Sequence, residues 1–224
     1  MDIFEAMEAR HSVRQYLDSG LDPAAEAALR DEIAACNEEG GLHIQLITDE
    51  PGAFSNFLAH YGRFSGVRSY IAMVGKKGPE LEEQLGYYGQ RLVLKAQMLG
   101  LNTCWVALTF SKGKSRAAVG AGEKLVCVIS VGCGANQGVP HKNRPMESLY
   151  RAEGPLPEWF RRGMEAAMLA PTATNQQRFL LTLRGGEVLA EATGGFYSKV
   201  DLGIVKYHFE VGAGTDRFRW AQAR

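Results

Sequence analysis

The longest helical pattern in the chain, from Glu80 to Leu99, constrains the fold more than any other stretch. Apolar side chains recur along it at intervals of three and four residues, which places them on one face of a helix. They are Leu85, Tyr88, Leu92, Ala96 and Leu99. Gly100 follows and is a typical helix stop. A helix this apolar is expected in the interior of the fold rather than on its surface.

Short apolar or alternating runs before and after this helix predict strands. They are Leu42–Thr48, Tyr70–Val74, Asn102–Leu108, Leu125–Val131 and Arg178–Leu183. Further helical patterns lie at Ile3–Arg10, Asp22–Glu39, Ala53–Tyr61 and Leu156–Leu169. With 224 residues, 46% of them hydrophobic, the chain can build a sizeable core as one α/β or α+β domain or as two small ones.

Charge and composition narrow the classes of function. Lys and Arg number 25 and Asp and Glu number 25, so the formal net charge is zero. No basic block stands out, which argues against nucleic acid or an anionic membrane as partner. The acidic, helical N-terminus is unlike a leader peptide, and no apolar stretch approaches the roughly 18 residues of a membrane span. We therefore expect a cytoplasmic protein that acts on small molecules or contacts other proteins.

The cysteines and histidines do not indicate a metal site. The four cysteines show no Cys-x-x-Cys pair, and no two of the five histidines stand four residues apart with an acidic neighbour. Buried free thiols are the expected state, and the fold should need no disulfide.

A basic segment follows the first helix. If the chain is extended after His11, Ser12 and Arg14 point one way and Val13 points the other. Two arginines and a hydroxyl then converge on one anion, and the planar guanidinium of Arg10 or Arg14 suits phosphate because it engages two oxygens at once. The alternative is a solvated basic turn beside nearby acidic residues.

Two later segments are also candidates for binding. The loop Ala170–Gln177 carries Thr, Asn and Gln between a helix and a strand, so its hydroxyl and amide groups could meet a planar polar ligand. Lys142 and Arg144 follow His141 shortly after a strand end, where ligands often bind in α/β sheets. The alternatives are an ordinary helix stop for the first segment and a solvated linker for the second.

The chain also shows a possible internal repeat. Leu29–Thr48 and Phe160–Leu183 share the order of amphipathic helix, interruption and strand. We interpret residues 1–145 and 156–213 as two related halves within a single domain that spans residues 1–224. Two unrelated helix–strand units are the alternative.

Several of these segments together resemble the nitroreductase family of FMN-dependent oxidoreductases. Arg10–Arg14 resembles its opening Arg-x-Ser-x-Arg, and Gly100–Trp105 resembles its Gly-Leu-Gly-Thr-Cys-Trp turn. Gly132 and the basic residues after it resemble a late Gly-Tyr-Pro segment. Ala170–Gln177 resembles the family's Ala-Pro-Ser-Ala-x-Asn-x-Gln loop. The combination, rather than any one motif, carries the resemblance.

The resemblance implies an α+β fold with a central mixed sheet packed by helices, and a bound FMN reduced by NADPH or NADH. Phosphate and ring-edge contacts would come from Arg10, His11, Ser12 and Arg14. Further phosphate or ribityl contacts would come from Lys142 and Arg144. Flavin contacts would come from the late-loop residues Pro171, Thr172, Ala173 and Asn175 and from the backbone of Ala107, Leu108 and Thr109. No side chain need act as a catalytic acid or base, since the flavin carries the redox chemistry.

The implied activity is a ping-pong NAD(P)H:acceptor oxidoreductase with nitroaromatics or quinones as acceptors. A non-catalytic FMN-binding protein, for which Phe218 and Trp220 could cover the ring, and a flavin-free scaffold are the alternatives. In the common form of the family the Asn-containing loop comes early and is donated across a homodimer, whereas here it comes late. We therefore favour a pseudo-dimeric monomer with one FMN over a homodimer. Exchange of the loop between chains through Met146–Pro157 is the alternative.

Overall fold

The computed structural model describes residues 1–55 and 62–221, and within them the chain forms five α-helices and two four-stranded sheets. The chain divides into two compact units. The first comprises Met1–Leu81 and Arg91–Pro140, and the second comprises Glu82–Gln90 and the chain from His141 onward. The division passes through the long helix predicted at Glu80–Leu99, which is present as Leu81–Met98.

The first unit begins with two helices whose ends follow local chemistry. Helix α1 (Ile3–Ala9) starts at Asp2, whose carboxylate accepts from the Glu5 backbone while the Glu5 side chain accepts from the Asp2 backbone, a capping box. Helix α2 (Pro23–Gly40) has Asp22 as N-cap and ends at Gly41, whose φ of 60° is left-handed. Both helices confirm the sequence predictions within a residue or two.

The first sheet is entirely antiparallel, with strand order β1-β2-β4-β3. Its strands are β1 (Gln45–Ile47), β2 (Ser69–Lys76), β3 (Asn102–Val106) and β4 (Glu123–Gly132). Strand β2 is buried along seven of its eight residues, as its apolar run predicts. Helix α3 (Leu81–Met98) connects β2 to β3, and its predicted apolar face is buried at Leu85, Leu92 and Ala96. Part of the predicted helix Ala53–Tyr61 is a 3-10 turn, Pro51–Phe54, and the rest lies outside the described residues.

The second unit pairs two helices with a mixed sheet. Helices α4 (Glu158–Ala167) and α5 (Ser198–Ala213) pack closely, since a Cβ on Gly163 would lie 2.6 Å from the Phe209 ring. The strand order is β5-β6-β7-β8, with parallel, antiparallel and parallel pairs. The strands are β5 (Tyr150–Ala152), β6 (Phe179–Arg184), β7 (Glu187–Ala192) and β8 (Arg219–Trp220).

An aromatic cluster forms the core of the second unit. The Trp159 and Phe218 rings stack at 5.6 Å, and Phe209 meets Phe218 edge-on at 5.1 Å. Trp220 lies 4.9 Å from Phe218, and its indole N–H donates to Glu210. Phe218 and Trp220 therefore pack within this unit. The suggestion that they cover a flavin ring, on which the non-catalytic alternative was based, is not needed to explain them.

The predicted α+β class is confirmed. The mixed strand pairing lies in the second sheet, while the first is antiparallel. The internal repeat stays a prediction, although both units contain a helix followed by a strand. None of the helices in residues 1–55 and 62–221 combines the length and apolar character that a membrane crossing requires.

Candidate functional site

The basic segment after α1 is extended, as the alternation in the sequence predicts. The Val13 N–H donates to the carbonyl of Thr103 on β3 at 3.0 Å, and the Leu17 N–H donates to the Cys133 carbonyl beyond β4 at 2.9 Å. Val13 is fully buried, whereas Arg14 is exposed and Ser12 is half-buried. Backbone pairing to these neighbours thus fixes the side from which each side chain leaves the segment.

Arg10 is the unusual residue of this segment, because it is a charged residue that is almost completely buried. Only 4% of the residue is exposed, and burial lowers the pKa of its guanidinium to about 10. Within the part of the chain that the structure describes, its Nε is the one buried side-chain nitrogen or oxygen without a hydrogen-bond partner. The side chain is still protonated at neutral pH. A buried cation with an unused donor is the structural signature of an anion site.

Arg10 has suitable neighbours for such a site. Burial raises the pKa of the Cys104 thiol on β3, and the nearby charges of Arg14 and Arg10 and a hydrogen bond with Ser12 oppose that rise. The Ser12 hydroxyl is therefore hydrogen-bonded to the Cys104 thiol, and the charges of both arginines lie near that thiol. His11 is half-buried beside Gly138, where a Cβ would lie 2.8 Å from the His11 Cβ. The role of Arg10, His11, Ser12 and Arg14 as phosphate and ring-edge contacts stays a prediction.

The segment Ala107–Thr109 lies at the far end of the strand that carries this grouping. Ser12 bridges to Thr103 near the start of β3, and Ala107 follows the strand's last residue, Val106. At about 3.3 Å per residue these two positions are about 13 Å apart along the strand. Ala107 and Thr109 are half-buried, and Leu108 is 64% exposed. The two sets of candidate residues therefore lie at opposite ends of strand β3.

In the second unit the loop Ala170–Gln177 is organised by its last residue, Gln177, which is 4% exposed. The Gln177 amide N–H₂ donates to the Lys142 carbonyl at 2.8 Å, and its side-chain oxygen accepts from the Arg144 N–H at 2.9 Å. Its backbone N–H donates to the Thr172 hydroxyl at 3.0 Å. The structure thus brings the predicted Lys142–Arg144 segment and the late loop together. The contact joins backbone groups of Lys142 and Arg144 to the side chain of Gln177, which was not predicted as a site residue.

Asn175, predicted as a ligand-binding residue, has its side chain engaged inside the loop. Its amide N–H₂ donates to the Lys142 carbonyl at 2.8 Å, and its oxygen accepts from Gln177 at 3.0 Å. Thr174, Asn175 and Gln177 all adopt left-handed φ angles of 45–56°, which cost free energy for residues other than glycine. Pro171, Thr172 and Ala173 remain half-buried on the loop surface.

Asp201 on α5 anchors the same loop, and sequence reasoning missed it. Its carboxylate accepts from the Ala173 N–H at 2.9 Å and from the Gln176 amide at 2.7 Å. The residue is 5% exposed, and burial raises its pKa to about 6 despite these two hydrogen bonds. The sequence does contain a signal for Asp201, because it is the one acidic residue within the apolar run Val200–Val205. An acidic residue buried with such a run needs hydrogen-bond or charged partners.

The hydrogen bonds of Gln177 lead to a stability prediction. Gln177→Ala leaves the Arg144 N–H and the Lys142 carbonyl without this partner, so we expect the free energy of unfolding to fall by about 2 kcal/mol. Urea denaturation measures the change. Asn143→Ala, an exposed residue between the two contacted positions, is the control and should change stability by less than about 0.5 kcal/mol. Equal stability of the two variants would show that the loop does not depend on Gln177.

The architecture is that of a nitroreductase fold. A protein of known structure from Thermotoga maritima, called a "putative nitroreductase", matches with 26% identity and a TM-score of 0.67 over 100% of this chain and 90% of its own. One of the same description from Desulfovibrio desulfuricans, solved in complex with FMN, matches with 18% identity and a TM-score of 0.54 over 70% of this chain and 99% of its own. A nitroreductase family protein from Streptococcus pneumoniae has 14% identity and a TM-score of 0.51, over 66% and 98% of the two chains.

Comparison of the sequence with protein families identifies one specific family. The family described as "Putative TM nitroreductase" matches residues 2–213, so nearly the whole chain belongs to that family. Among curated protein sequences none matches significantly.

Proposed function

We propose that the protein is an FMN-dependent oxidoreductase that takes electrons from NADPH or NADH and passes them to nitroaromatic or quinone acceptors. The observation that carries the proposal is the buried guanidinium of Arg10, whose Nε has no hydrogen-bond partner in the part of the chain that the structure describes, with Ser12 and Arg14 nearby. The family match supports it, as does the FMN bound in the Desulfovibrio relative.

The residues fit a phosphate monoester. A phosphate would supply acceptor oxygens to the free Nε of Arg10 and to the exposed Arg14, for which no ion pair occurs in the described residues. The Ser12 hydroxyl could donate as well. A doubly charged phosphate would also offset the cost of burying Arg10, because a hydrogen-bonded ion pair replaces an isolated buried charge. His11 is proposed to contact the polar edge of the ring.

The other proposed cofactor contacts are Ala107, Leu108, Thr109, Lys142, Arg144, Pro171, Thr172, Ala173 and Asn175. In the late loop we assign the ligand-facing role to the half-buried surface of Pro171, Thr172 and Ala173. Asn175 acts mainly by holding the loop's shape, since its amide is already engaged.

Bound FMN would supply the two-electron chemistry, taking a hydride from the nicotinamide and passing reducing equivalents to the acceptor. The chain's own residues bind and orient the cofactor. A cation or backbone donor near the ring's polar edge would stabilise negative charge on the reduced form. Accordingly, no side chain is assigned as a general acid or base.

Absorption spectra and kinetics test the proposal. We expect the purified protein to be yellow, to be bleached by NADPH or NADH without oxygen, and to give parallel initial-rate lines when donor and acceptor are varied. Intersecting lines would contradict the ping-pong order. A yellow protein that neither donor bleaches would indicate FMN binding without turnover, and a colourless protein that FMN does not stabilise would contradict the cofactor assignment.

We also propose that one chain forms the working unit as a pseudo-dimeric monomer. Sedimentation equilibrium of the flavin-loaded protein should then give the chain mass, 24.5 kDa. Twice that mass at micromolar concentration would contradict the monomer.

A further inference from the structure

We propose that Phe196 is the side chain that stacks on aromatic electron acceptors, and that Gln176 and Asp201 position it. This inference rests on the proposed oxidoreductase function and concerns how the site selects its acceptor. Packing within the second unit does not explain why this position carries an aromatic side chain.

Phe196 is 52% exposed. By contrast, Phe160, Phe209 and Phe218 of the same unit are 0–9% exposed and lie in the aromatic core. Its one ring contact in the described part of the chain is an edge-on approach to the neighbouring Tyr197 at 6.2 Å. A large aromatic surface left in water is suited to contact a ligand.

The turn that carries Phe196 is shaped to lie against the late loop. Gly194 and Gly195 have φ angles of 107° and 96°, and Tyr197 adopts a left-handed φ of 55°. A Cβ on Gly195 would lie 2.2 Å from the side-chain oxygen of Gln176. Only glycine allows the backbone to approach Gln176 this closely at that φ. The turn before α5 and the loop Ala170–Gln177 are therefore in direct contact.

Hydrogen bonds make this contact specific. The Gln176 amide nitrogen donates to the Phe196 carbonyl at 3.0 Å and to the Asp201 carboxylate at 2.7 Å, which uses both of its hydrogens. The other carboxylate oxygen of Asp201 accepts from the Ala173 N–H. One buried carboxylate thus holds both the proposed flavin-contacting loop and, through Gln176, the turn that presents Phe196.

This placement predicts a preference among acceptors. The ring of Phe196 can stack on a flat, electron-poor ring such as a nitroaromatic or a quinone. It gives no such advantage to an inorganic acceptor such as ferricyanide, which has no ring. Because the stacking would occur when the acceptor binds, its loss should raise KM for aromatic acceptors more than it lowers kcat.

The test compares Phe196→Ala with the unaltered protein, using nitrobenzene, p-benzoquinone and ferricyanide as acceptors. We expect kcat/KM for the two aromatic acceptors to fall about three- to tenfold, mostly through KM. The ferricyanide rate and the affinity for FMN should not change. Phe196→Trp should retain the aromatic preference. Phe4→Ala, which removes a 48% exposed phenylalanine from α1, is the matched control and should behave like the unaltered protein.

Gln176→Met tests the positioning role, because it keeps the side-chain length and removes both hydrogen bonds. It should raise KM for the aromatic acceptors selectively, as Phe196→Ala does. An active enzyme in which Phe196→Ala affects all three acceptors equally, or none, would overturn the role of Phe196. An acceptor-selective effect of Phe196→Ala without one of Gln176→Met would overturn the positioning role alone. An unaltered protein that binds no FMN or turns over no acceptor would instead overturn the proposed function.

Discussion

Arg10→Met should weaken FMN binding by about a hundredfold or more while making the flavin-free protein more stable. A bidentate arginine–phosphate contact comprises two charge-assisted hydrogen bonds, and losing about 3 kcal/mol corresponds to roughly a hundredfold in affinity. The stability gain follows from burial. Lowering the guanidinium pKa to about 10 corresponds to a cost of about 3 kcal/mol for the charged group in the folded protein. Methionine fills a similar volume without that charge.

The dependence on pH has a definite sign. Burial lowers the pKa of Arg10, so the unfolded chain holds this proton more tightly than the folded protein. The cost is present in full below pH 10 and fades as pH rises above it. The gain from Arg10→Met should therefore be the same at pH 6 and pH 8, as urea denaturation of the flavin-free proteins can show. FMN affinity is measured by the change in flavin fluorescence on binding.

Two further arginine variants separate the effect of losing a phosphate contact from the effect of removing a buried charge. Arg14 is exposed, so Arg14→Ala should weaken FMN binding about ten- to a hundredfold and change the stability of the flavin-free protein by less than about 0.5 kcal/mol. Arg30→Met removes an arginine that pairs with Glu26 on the exposed side of α2 and should leave FMN affinity unaltered. Normal FMN binding by Arg10→Met would remove Arg10 from the phosphate site.

Asp201→Asn should remove a pH dependence of stability that the unaltered protein shows between about pH 4 and pH 6. Burial raises the pKa of Asp201 from 3.8 to about 6, so the folded protein binds the proton more tightly than the unfolded chain. The contribution of Asp201 is most favourable below pH 4 and becomes less favourable by about 3 kcal/mol as pH rises through 6. Asparagine keeps the shape and an acceptor for the Ala173 N–H without titrating.

The measurement is the difference in unfolding free energy between the two proteins from pH 4 to pH 7. Asp201→Asn should gain on the unaltered protein by about 3 kcal/mol over that range. Asp31→Asn, at an exposed position of α2, is the control and should show no comparable trend. A constant difference for Asp201→Asn would mean that Asp201 titrates alike in the folded and unfolded chains.

Much of the secondary structure could be predicted because its causes are local. The spacing of Leu85, Leu92 and Ala96 predicted a buried helix, and Asp22 with Pro23 predicted where α2 begins. The strands missed were β5, β7 and β8. Strands β5 and β8 have only three and two residues, too few for a period of two to stand out.

The candidate site likewise has features that follow from the local sequence and features that depend on long-range contacts. The sequence by itself determined which residue types could bind an anion and that Ser12 and Arg14 would leave the chain on the side opposite Val13, because side-chain alternation follows from an extended backbone. Only the tertiary structure decided that Arg10 is buried with its Nε lacking a hydrogen-bond partner among the described residues, and that Gln177 and Asp201 hold the late loop. Burial and long-range hydrogen bonds join residues tens of positions apart, as Asp201 joins Ala173, and no local pattern records which distant groups will meet.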